Sequence, residues 1–397
     1  MILDLFLSFV IISILFTIII SLITFLERRL SSPKDCCVKI NGDRVVHTVT
    51  GISLLDALKS DNIFIPTSCA GEAKCGLCKC KVINDSEPLP TELGLLTASE
   101  INQGVRLACQ LKLKEDIAIS LPLSILNSKK MQATVIKVES CSQFIKRLHI
   151  RLNLDEPIHI QPGSYFQIKI PQYEMQLSDL FAESIPETLV QYSDLQIINT
   201  EVLDRAYSLA NYGETLELVI NVKFSVFRDS EYLFARGASY LFSLKEGDAI
   251  QLQGSYGAEC SLDNYEDICF VLGGVGISTA ITYVEYLVSH FENKNIYLFY
   301  GVNDSDEFLY MELLEKLEEE KRLHLFPVAL TAGTSTPSTL YNGYVSDQLR
   351  KEFLEKRPDE IDQFFYYLCG PKPMIEATKN VLEEFEVDSS MFFSDSF

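Results

Sequence analysis

The sequence is poor in basic residues and in histidine, and it has no tryptophan. Its 34 lysines and arginines are outnumbered by 55 acidic residues, which gives a formal net charge of −21. Because nucleic-acid phosphates are bound by clustered Lys and Arg, this balance argues against a nucleic-acid partner. The histidines show neither metal-ligand nor catalytic-triad spacing; they are His47, His149, His159, His290 and His324. We therefore expect no chemistry that depends on a histidine acid or base.

Charge is also absent from one long stretch near the N-terminus. From Leu5 to Leu26 the sequence is a 22-residue run of Leu, Ile, Phe and Val, interrupted only by Ser and Thr. An α-helix rises about 1.5 Å per residue, so this run is long enough to cross a hydrocarbon core of about 30 Å. A cleaved signal peptide is the alternative, but it would have a basic segment, a shorter apolar run and a small-residue cleavage site. We expect residues 1–28 to be a retained transmembrane anchor.

The charges around this run predict the orientation of the anchor. Asp4 precedes the run, whereas Arg28, Arg29 and Lys34 follow it. Positive charges near a membrane span remain on the cytoplasmic side, so the rest of the chain is expected in the cytoplasm. That compartment is reducing, and the eleven cysteines are therefore not expected to form a disulfide framework.

After the anchor, the sequence pattern changes twice, which predicts three domains. Residues 34–128 contain a hairpin turn at Asn41-Gly42 and a helix that Ser53 would begin. Residues 129–263 alternate apolar and polar residues between Gly and Pro turns, which predicts an antiparallel β-barrel. Residues 264–397 repeat a buried strand, a Gly turn and a helix, which predicts a doubly wound parallel sheet. The expected fold class is a multidomain chain of α+β and α/β type.

Four of the cysteines lie close together in TSCAGEAKCGLCKCKV. Cys69, Cys75 and Cys78 are spaced C-x5-C-x2-C, and Cys109 follows in RLACQ. A zinc site would usually show two C-x2-C pairs, and only one is present. The plant-type [2Fe-2S] pattern has four residues between its first two ligands and a distant fourth ligand, so this loop is one residue longer. We predict that Cys69, Cys75, Cys78 and Cys109 hold a [2Fe-2S] cluster.

Other residues of the loop support this prediction. Gly71 and Gly76 allow the unusual backbone angles that a loop wrapped around a cluster requires. Cys80 follows Cys78 by two residues at the start of an extended segment, where it is expected to be a small buried residue. The same is expected of Cys36, Cys37, Cys141, Cys260 and Cys269.

A second motif, RAYSLANY, occupies residues 205–212. If it is a strand, Arg205 and Tyr207 share one face and Ser208 lies on the other. Such a strand could lay an aromatic ring against a flavin, place a guanidinium on its pyrophosphate and aim a hydroxyl at the reactive ring nitrogen. An ordinary edge strand with a surface arginine fits the spacing equally well.

Two further motifs lie in the predicted parallel sheet. VLGGVGIS, residues 271–278, follows a buried strand and opens a helix, so its amides and helix dipole would face a phosphate. CGPKPM, residues 369–374, ends another strand at the carboxyl edge, where doubly wound sheets bind ligands. Cys369 would lie either beside a nicotinamide ring or in the core. Asp304, Asp306 and Glu307 would repel a 2′-phosphate and so favour NADH over NADPH, although a solvated acidic turn is the alternative.

In combination, these motifs resemble those of the F subunits of bacterial Na+-translocating NADH:quinone oxidoreductases, from the apolar run to the last residue. The resemblance implies an N-terminal anchor, a β-grasp ferredoxin-like domain with one [2Fe-2S] cluster, and a ferredoxin-reductase-like module for FAD and NADH. It also implies that electrons pass from NADH through FAD and the cluster to partner subunits of the inner membrane, and finally to quinone.

The resemblance assigns roles to individual residues of the motifs. The cluster ligands would be Cys69, Cys75, Cys78 and Cys109. The FAD contacts would come from Arg205, Tyr207, Ser208, Asn211, Lys223, Ser239 and Phe397. The NADH contacts would come from Gly273, Gly274, Gly276, Glu307, Cys369, Gly370 and Pro371. Tyr207, Ser208 and Cys369 would act at the reacting rings.

Two alternatives remain open, and several residues depart from the family pattern. Soluble monooxygenase reductases share the order of cluster, flavin and nicotinamide motifs, but they lack the insertion at residues 171–204. A non-catalytic iron–sulfur scaffold would explain the departures. These are the AGEAK loop, Ala238 in place of a serine, Thr279 in place of a proline, GSYG in place of G-P-F-G, and Phe397 shifted by one position.

Overall fold

The structure is a computed structural model, and it divides the chain into two compact units, residues 1–126 and 127–397. It describes residues 9, 12–21, 33–67, 69, 71–83, 87–126, 128–181, 185–225, 234–257, 260–334 and 336–396. Strands are numbered in chain order, and each helix is named by its first residue.

The predicted anchor lies mostly outside the described residues. Residues 12–21 are helical. Across the described ranges, the structure contains no helix with both the length and the apolar character needed to span a bilayer. The single transmembrane helix therefore stays a prediction.

The first unit contains one five-stranded sheet. Its strands are β1 (Asp35–Ile40), β2 (Arg44–Val49), β3 (Lys79–Val82), β4 (Val105–Leu107) and β5 (Ile117–Ser120). They lie in the order β2-β1-β5-β3-β4, with β1 and β5 parallel and the other neighbours antiparallel. Besides the helical residues 12–21, the described helices of this unit are Leu54–Ser60, Ala98–Asn102 and Leu123–Leu126.

Local sequence signals explain the start of this unit. Asn41 and Gly42 have φ angles of 52° and 86°, the left-handed conformation that a tight hairpin between β1 and β2 requires. Ser53 caps the Leu54 helix by accepting a hydrogen bond from the Asp56 amide. Leu54, Ala57 and Leu58 form the buried face of this helix, at the spacing expected for one helix side. The predicted hairpin and helix start are confirmed.

The second unit begins with a six-stranded antiparallel sheet. Its strands are β6 (Lys129–Ser142), β7 (Ile145–Leu152), β9 (Ser164–Ile170), β12 (Leu203–Ser208), β14 (Glu217–Lys223) and β15 (Ala249–Gly257). They lie in the order β12-β9-β15-β6-β7-β14. The outer strands β12 and β14 contact each other, so the sheet curls into the predicted barrel. A short pair, β8 (Ile158–Ile160) with β13 (Gly213–Thr215), and the Arg236–Ser243 helix flank it.

The insertion at residues 171–204 has a structure of its own. Strands β10 (Tyr173–Gln176) and β11 (Gln196–Asn199) pair in antiparallel fashion and enclose 3₁₀ turns at Leu177–Leu180 and Glu187–Tyr192. Leu177, Leu189 and Phe242 share a buried cluster that joins the insertion to the Arg236 helix.

The rest of the second unit is a six-stranded parallel sheet. Its strands are β16 (Asp267–Gly273), β17 (Asn295–Asp304), β18 (His324–Thr331), β19 (Tyr341–Asn342), β20 (Phe364–Gly370) and β21 (Phe392–Ser396). The helices are Ile277–His290, Met311–Glu319, Val345–Leu349 and Lys372–Glu384, with 3₁₀ turns at Gly274–Gly276, Ser305–Glu307, Ile361–Gln363 and Ser389–Met391 and a π turn at Arg350–Leu354.

The order of these strands, β19-β18-β17-β16-β20-β21, creates a topological switch point. The chain first moves outward from β16 to β19 and then returns to pair β20 with the other side of β16. Ligands of doubly wound sheets bind at the carboxyl ends of strands at this point. The two motifs VLGGVGIS and CGPKPM follow β16 and β20, so both meet there.

We expect Ser53→Ala to destabilise the Leu54 helix by about 1 kcal/mol, because the Asp56 amide loses its side-chain acceptor. Hydrogen exchange of amides 54–60 in the full chain measures this effect, and Ser53→Thr, which keeps the acceptor, is the matched control. Equal exchange protection in Ser53→Ala and the unsubstituted chain would contradict the capping role.

Candidate functional site

The cysteine loop is held by hydrogen bonds from its own backbone. The Lys74 amide donates to Cys69 Sγ at 3.4 Å, and the Glu72 amide donates to the Cys69 carbonyl at 3.1 Å. Gly71 and Gly76 have positive φ, as expected, and so does Ala73 with a φ of 56°. Because this conformation crowds a Cβ, a glycine would adopt it with less strain than Ala73 does.

Cys109 lies beside this loop. The Ala108 amide donates to the Cys78 carbonyl at 2.8 Å, and the Cα of Gly71 is so placed that a Cβ there would lie 3.6 Å from Cys109 Cβ. A hydrogen bond from the Cys78 thiol lowers the pKa of Cys109 below its ordinary value. The same hydrogen bond, together with burial, raises the pKa of Cys78. The structure therefore brings the distant fourth cysteine to the loop.

The chemistry of the donor set, four thiols, suits a [2Fe-2S] cluster. In the part of the chain that the structure describes, no three His, Cys, Asp or Glu side chains converge on a single point. A [2Fe-2S] cluster takes four thiolates shared between two irons and does not require three at one centre. Cys80 lies on strand β3, and its buried thiol donates to the Arg106 carbonyl at 3.6 Å. It is therefore not counted among the predicted cluster ligands.

The RAYS motif forms strand β12, and it faces the start of the Arg236 helix. A Cβ added to Gly237 would lie 2.9 Å from Arg205 Cγ and 3.0 Å from Tyr207 Oη, so both side chains lie on the helix side. Ala235 caps this helix without a side-chain hydrogen bond, and the helix dipole favours an anion there.

A buried hydroxyl in the same helix fits a phosphate ligand. Ser239 has none of its surface exposed, and its Oγ makes no hydrogen bond of good geometry within the described chain, although the Tyr173 hydroxyl lies near it. A buried donor without an acceptor costs about 1–3 kcal/mol, which an anionic ligand would recover. Together with Arg205 and the Arg236 helix, Ser239 forms a cradle that suits the pyrophosphate of FAD.

Three other predicted FAD contacts have different outcomes. Asn211 uses its amide on the backbone, donating to the Glu217 carbonyl at 2.7 Å and accepting from the Val219 amide at 2.9 Å. Lys223 Nζ donates to Glu307 Oε2 at 2.7 Å, so two residues predicted for separate ligands are ion-paired with each other. Phe397 lies outside the described residues, and its role stays a prediction.

The glycine turn and the C-G-P turn touch at the switch point. A Cβ on Gly276 would lie 2.5 Å from the Cys369 carbonyl oxygen, and one on Gly273 would lie 2.9 Å from Pro371 Cδ. A Cβ on Gly370 would lie 3.0 Å from the Gly273 amide nitrogen. The two turns can therefore share one edge only because glycine occupies these positions, while Gly274, with a φ of 54°, has open space around it.

Cys369 is almost completely buried at this edge. Burial and the neighbouring Asp395 carboxylate raise the pKa of its thiol, while the nearby Thr279 hydroxyl acts in the opposite direction. The thiol is therefore neutral at physiological pH, which suits a van der Waals contact with a ring rather than nucleophilic attack.

The acidic segment after β17 has a structural task as well. Thr331 Oγ1 donates to Asp304 Oδ2 at 2.8 Å, and Thr334 Oγ1 donates to Asp306 at 3.1 Å. These two carboxylates brace the loop that follows β18. They border a cavity of about 970 Å³ between the β6–β7 turn and the start of the Met311 helix.

The sequence interpretation missed one polar centre, Asn221. This buried residue on β14 bonds Ser278 in the first turn of the Ile277 helix and Tyr310 before the Met311 helix. The available signal was an asparagine in an otherwise apolar strand, where asparagine is uncommon.

Two family models match this chain. A family model described as "2Fe-2S iron-sulfur cluster binding domain" matches residues 38–114. A second, described as "Oxidoreductase NAD-binding domain", matches residues 270–380. The first spans all four predicted cluster ligands, and the second spans both turns of the switch point.

Solved structures show the same fold. One is a ferredoxin reductase in carbazole 1,9a-dioxygenase, with a TM-score of 0.57 and 20% identity over 92% of this chain and 99% of that one. Another is an Amycolatopsis cytochrome P450 reductase, with a TM-score of 0.60 and 21% identity over 91% of this chain and 98% of that one. The chain therefore has a ferredoxin-reductase-like fold joined to a [2Fe-2S] domain.

We expect Gly276→Ala to weaken NADH binding by about tenfold or more, roughly 1.4 kcal/mol, because the turn must move away from the Cys369 carbonyl. Titration of the full chain with NADH measures the affinity. Gly94→Ala, at a position with open space, is the control. Unchanged affinity in Gly276→Ala would refute the tight contact.

Relatives match this chain from end to end. The Na(+)-translocating NADH-quinone reductase F subunit of Chlamydia pneumoniae is 30% identical over 413 aligned positions, which cover 96% of this chain and 95% of that one. The corresponding protein of Methylococcus capsulatus is 29% identical and is covered to 97%. On this similarity, the chain belongs to the family of Na(+)-translocating NADH-quinone reductase F subunits.

Proposed function

We propose that this chain is the NADH-oxidising electron-input subunit of a membrane-bound, Na+-translocating NADH:quinone reductase. The observation that carries the proposal is the full-length similarity to F subunits at 30% identity. It is supported by the site geometry, since one chain holds a four-cysteine loop, an anion cradle and a nucleotide switch point. The function is an oxidoreductase that receives a hydride from NADH and delivers single electrons.

The second unit would bind the nucleotide and the flavin. Amides of the glycine turn and the dipole of the Ile277 helix hold the NADH phosphates, and Cys369 packs against the nicotinamide ring. Arg205 and Ser239 would hold the FAD pyrophosphate, Tyr207 would contact the ring system, and Ser208 would offer a hydrogen bond to the reactive part of the ring. When bound, FAD accepts the hydride pair and releases electrons one at a time.

The first unit would hold the [2Fe-2S] cluster through Cys69, Cys75, Cys78 and Cys109. The neighbouring amides of the loop, such as that of Lys74, donate to the ligand sulfurs and stabilise their negative charge. Asp304, Asp306 and Glu307 near the nucleotide edge would disfavour a 2′-phosphate, which makes NADH the donor rather than NADPH.

The chain would be anchored in the bacterial inner membrane by residues 1–28, with its domains at 34–128, 129–263 and 264–397 in the cytoplasm. One apolar helix without charge offers no path for an ion, so sodium transport would belong to partner subunits. Those subunits would accept the electrons and pass them to a quinone such as ubiquinone. The insertion at residues 171–204 favours this assignment over a monooxygenase reductase.

Anaerobic mixing of the purified full chain with NADH tests the proposed function. We expect the flavin absorbance to bleach and the spectroscopic signal of a reduced [2Fe-2S] cluster to appear. Cys78→Ser should lose the cluster signal and keep flavin bleaching, because the flavin cradle lies in the other unit. Cys80→Ser is the matched control, since its hydroxyl can still donate to the Arg106 carbonyl. Absence of flavin bleaching in the unsubstituted chain would favour the scaffold.

The anchor is tested by fractionation of bacterial cells. We expect the full chain in the membrane pellet, resistant to alkaline washing, and a chain lacking residues 1–28 in the soluble fraction. A full-length variant with Ile14→Lys and Ile18→Lys serves as the control. It should also leave the membrane pellet, because each lysine raises the free energy of membrane insertion by about 2.5–3.5 kcal/mol at the centre of a membrane helix. A truncated chain that still sediments with membranes would contradict the proposal.

A further inference from the structure

Strand β14 presents two polar side chains on one of its faces. Asn221 and Lys223 are two residues apart in the strand, and side chains at that spacing point to the same side. Asn221 is 6% exposed, although an amide is costly to bury without hydrogen bonds. The burial of this amide therefore requires hydrogen-bonding partners that compensate the cost.

Both donors and the acceptor of the Asn221 amide make hydrogen bonds. Arg147 Nε donates to its Oδ1 at 3.0 Å, while its Nδ2 donates to Ser278 Oγ at 2.8 Å and to Tyr310 Oη at 2.8 Å. Ser278 is in the first turn of the Ile277 helix, directly after the glycine turn. One side chain of the barrel thus holds two elements of the nucleotide-binding half.

Lys223 makes a second connection from the same face. Its ion pair with Glu307 is largely buried, since 22% of the Lys223 side chain and 12% of the Glu307 side chain are exposed. The Arg147 guanidinium lies 4.4 Å from the centre of the Tyr310 ring and fixes that ring from the barrel side. We call Asn221, Lys223, Ser278, Glu307 and Tyr310 the β14 clasp.

The clasp also decides whether the Ser278 hydroxyl accepts or donates in its hydrogen bond with residue 221. A hydroxyl has one proton to donate, and here Asn221 donates to the oxygen, so the proton of Ser278 remains to donate elsewhere. An aspartate at position 221 would accept from both Ser278 and Tyr310 and so keep the two connections, whereas a leucine of similar size would remove them.

We propose that Asn221 is a positioning residue for hydride transfer, which fixes the nucleotide-binding turn at Ser278 to the flavin-side barrel. This inference rests on the proposed function, because it presumes NADH at the glycine turn. The amides that hold the NADH phosphates all belong to the nucleotide-binding half, so affinity should depend little on the clasp. The hydride must cross between the two halves, and a misplacement of about 1 Å in such a step can cost about a hundredfold in rate.

Asn221→Leu in the full chain with FAD bound tests the proposal. Arg147 keeps Glu139 as a partner in this variant, so FAD content should be retained. We expect flavin reduction to slow by about tenfold or more, with a dissociation constant for NADH within about threefold of the unsubstituted value. Hydrogen exchange of amides 274–279 should become faster. Asn153→Leu, at an exposed position whose partner Thr134 can bond water instead, is the matched control and should change none of these.

A double-mutant cycle provides the second measurement. Asn221→Ala combined with Ser278→Ala should be no slower than the slower single variant, because the two residues act as one unit. If an Asn221 variant loses FAD, Tyr310→Phe replaces it, since it removes one hydrogen bond and keeps the ring beneath Arg147. Tyr310→Phe should slow flavin reduction by about threefold.

The outcomes separate the two hypotheses. Failure of NADH to bleach the flavin in the unsubstituted chain overturns the proposed function. Normal bleaching there, with an unchanged rate in Asn221→Leu or in Tyr310→Phe, overturns the positioning role alone. Additive effects of Asn221→Ala and Ser278→Ala do the same.

Discussion

The nucleotide-binding half depends on one close backbone contact, that between the turns after β16 and β20. The carbonyl of Cys369 lies where a Cβ of Gly276 would have to go, and Gly273 meets Gly370 in the same way. Adjacent strands are separated by about 4.8 Å. The turns that follow them can therefore touch at one edge only where the contacting residues have no side chain. This contact brings the amides of the glycine turn and the Cys369 thiol to the same place.

A second constraint joins the barrel to the parallel sheet. The apolar core is continuous across them, since Ile145 and Ala210 of the barrel half pack with Ile277 and Leu272 of the nucleotide half. Apolar packing has little directional preference, whereas hydrogen bonds and ion pairs require particular distances and directions. The polar contacts of Asn221 and Lys223 therefore specify which way the two halves face, at the cost of burying polar atoms.

The sequence predicted elements whose signals are local. The Asn41-Gly42 hairpin, the helix after Ser53, the extended RAYS segment and the alternating strands of the barrel are all as expected, because each depends on residues a few positions apart. The glycine turn and the C-G-P turn were also predicted to lie at the carboxyl edge of the sheet. Their mutual contact follows from strand order, since only the return of the chain to β20 makes them neighbours.

Side-chain partnership across long separations was not predictable from the sequence. Lys223 and Glu307 were assigned to different ligands, yet they are 84 residues apart and paired, and Asn221 meets Ser278 across 57 residues. Composition and motif spacing determined which kinds of chemistry are available. Cysteine thiolates can ligate iron, glycine turns and helix starts can bind phosphates, and an arginine can bind the pyrophosphate of a flavin nucleotide. Only the tertiary structure decided which groups share a partner, because hydrogen bonds and ion pairs form within about 3–4 Å, a distance that depends on how whole sheets pack.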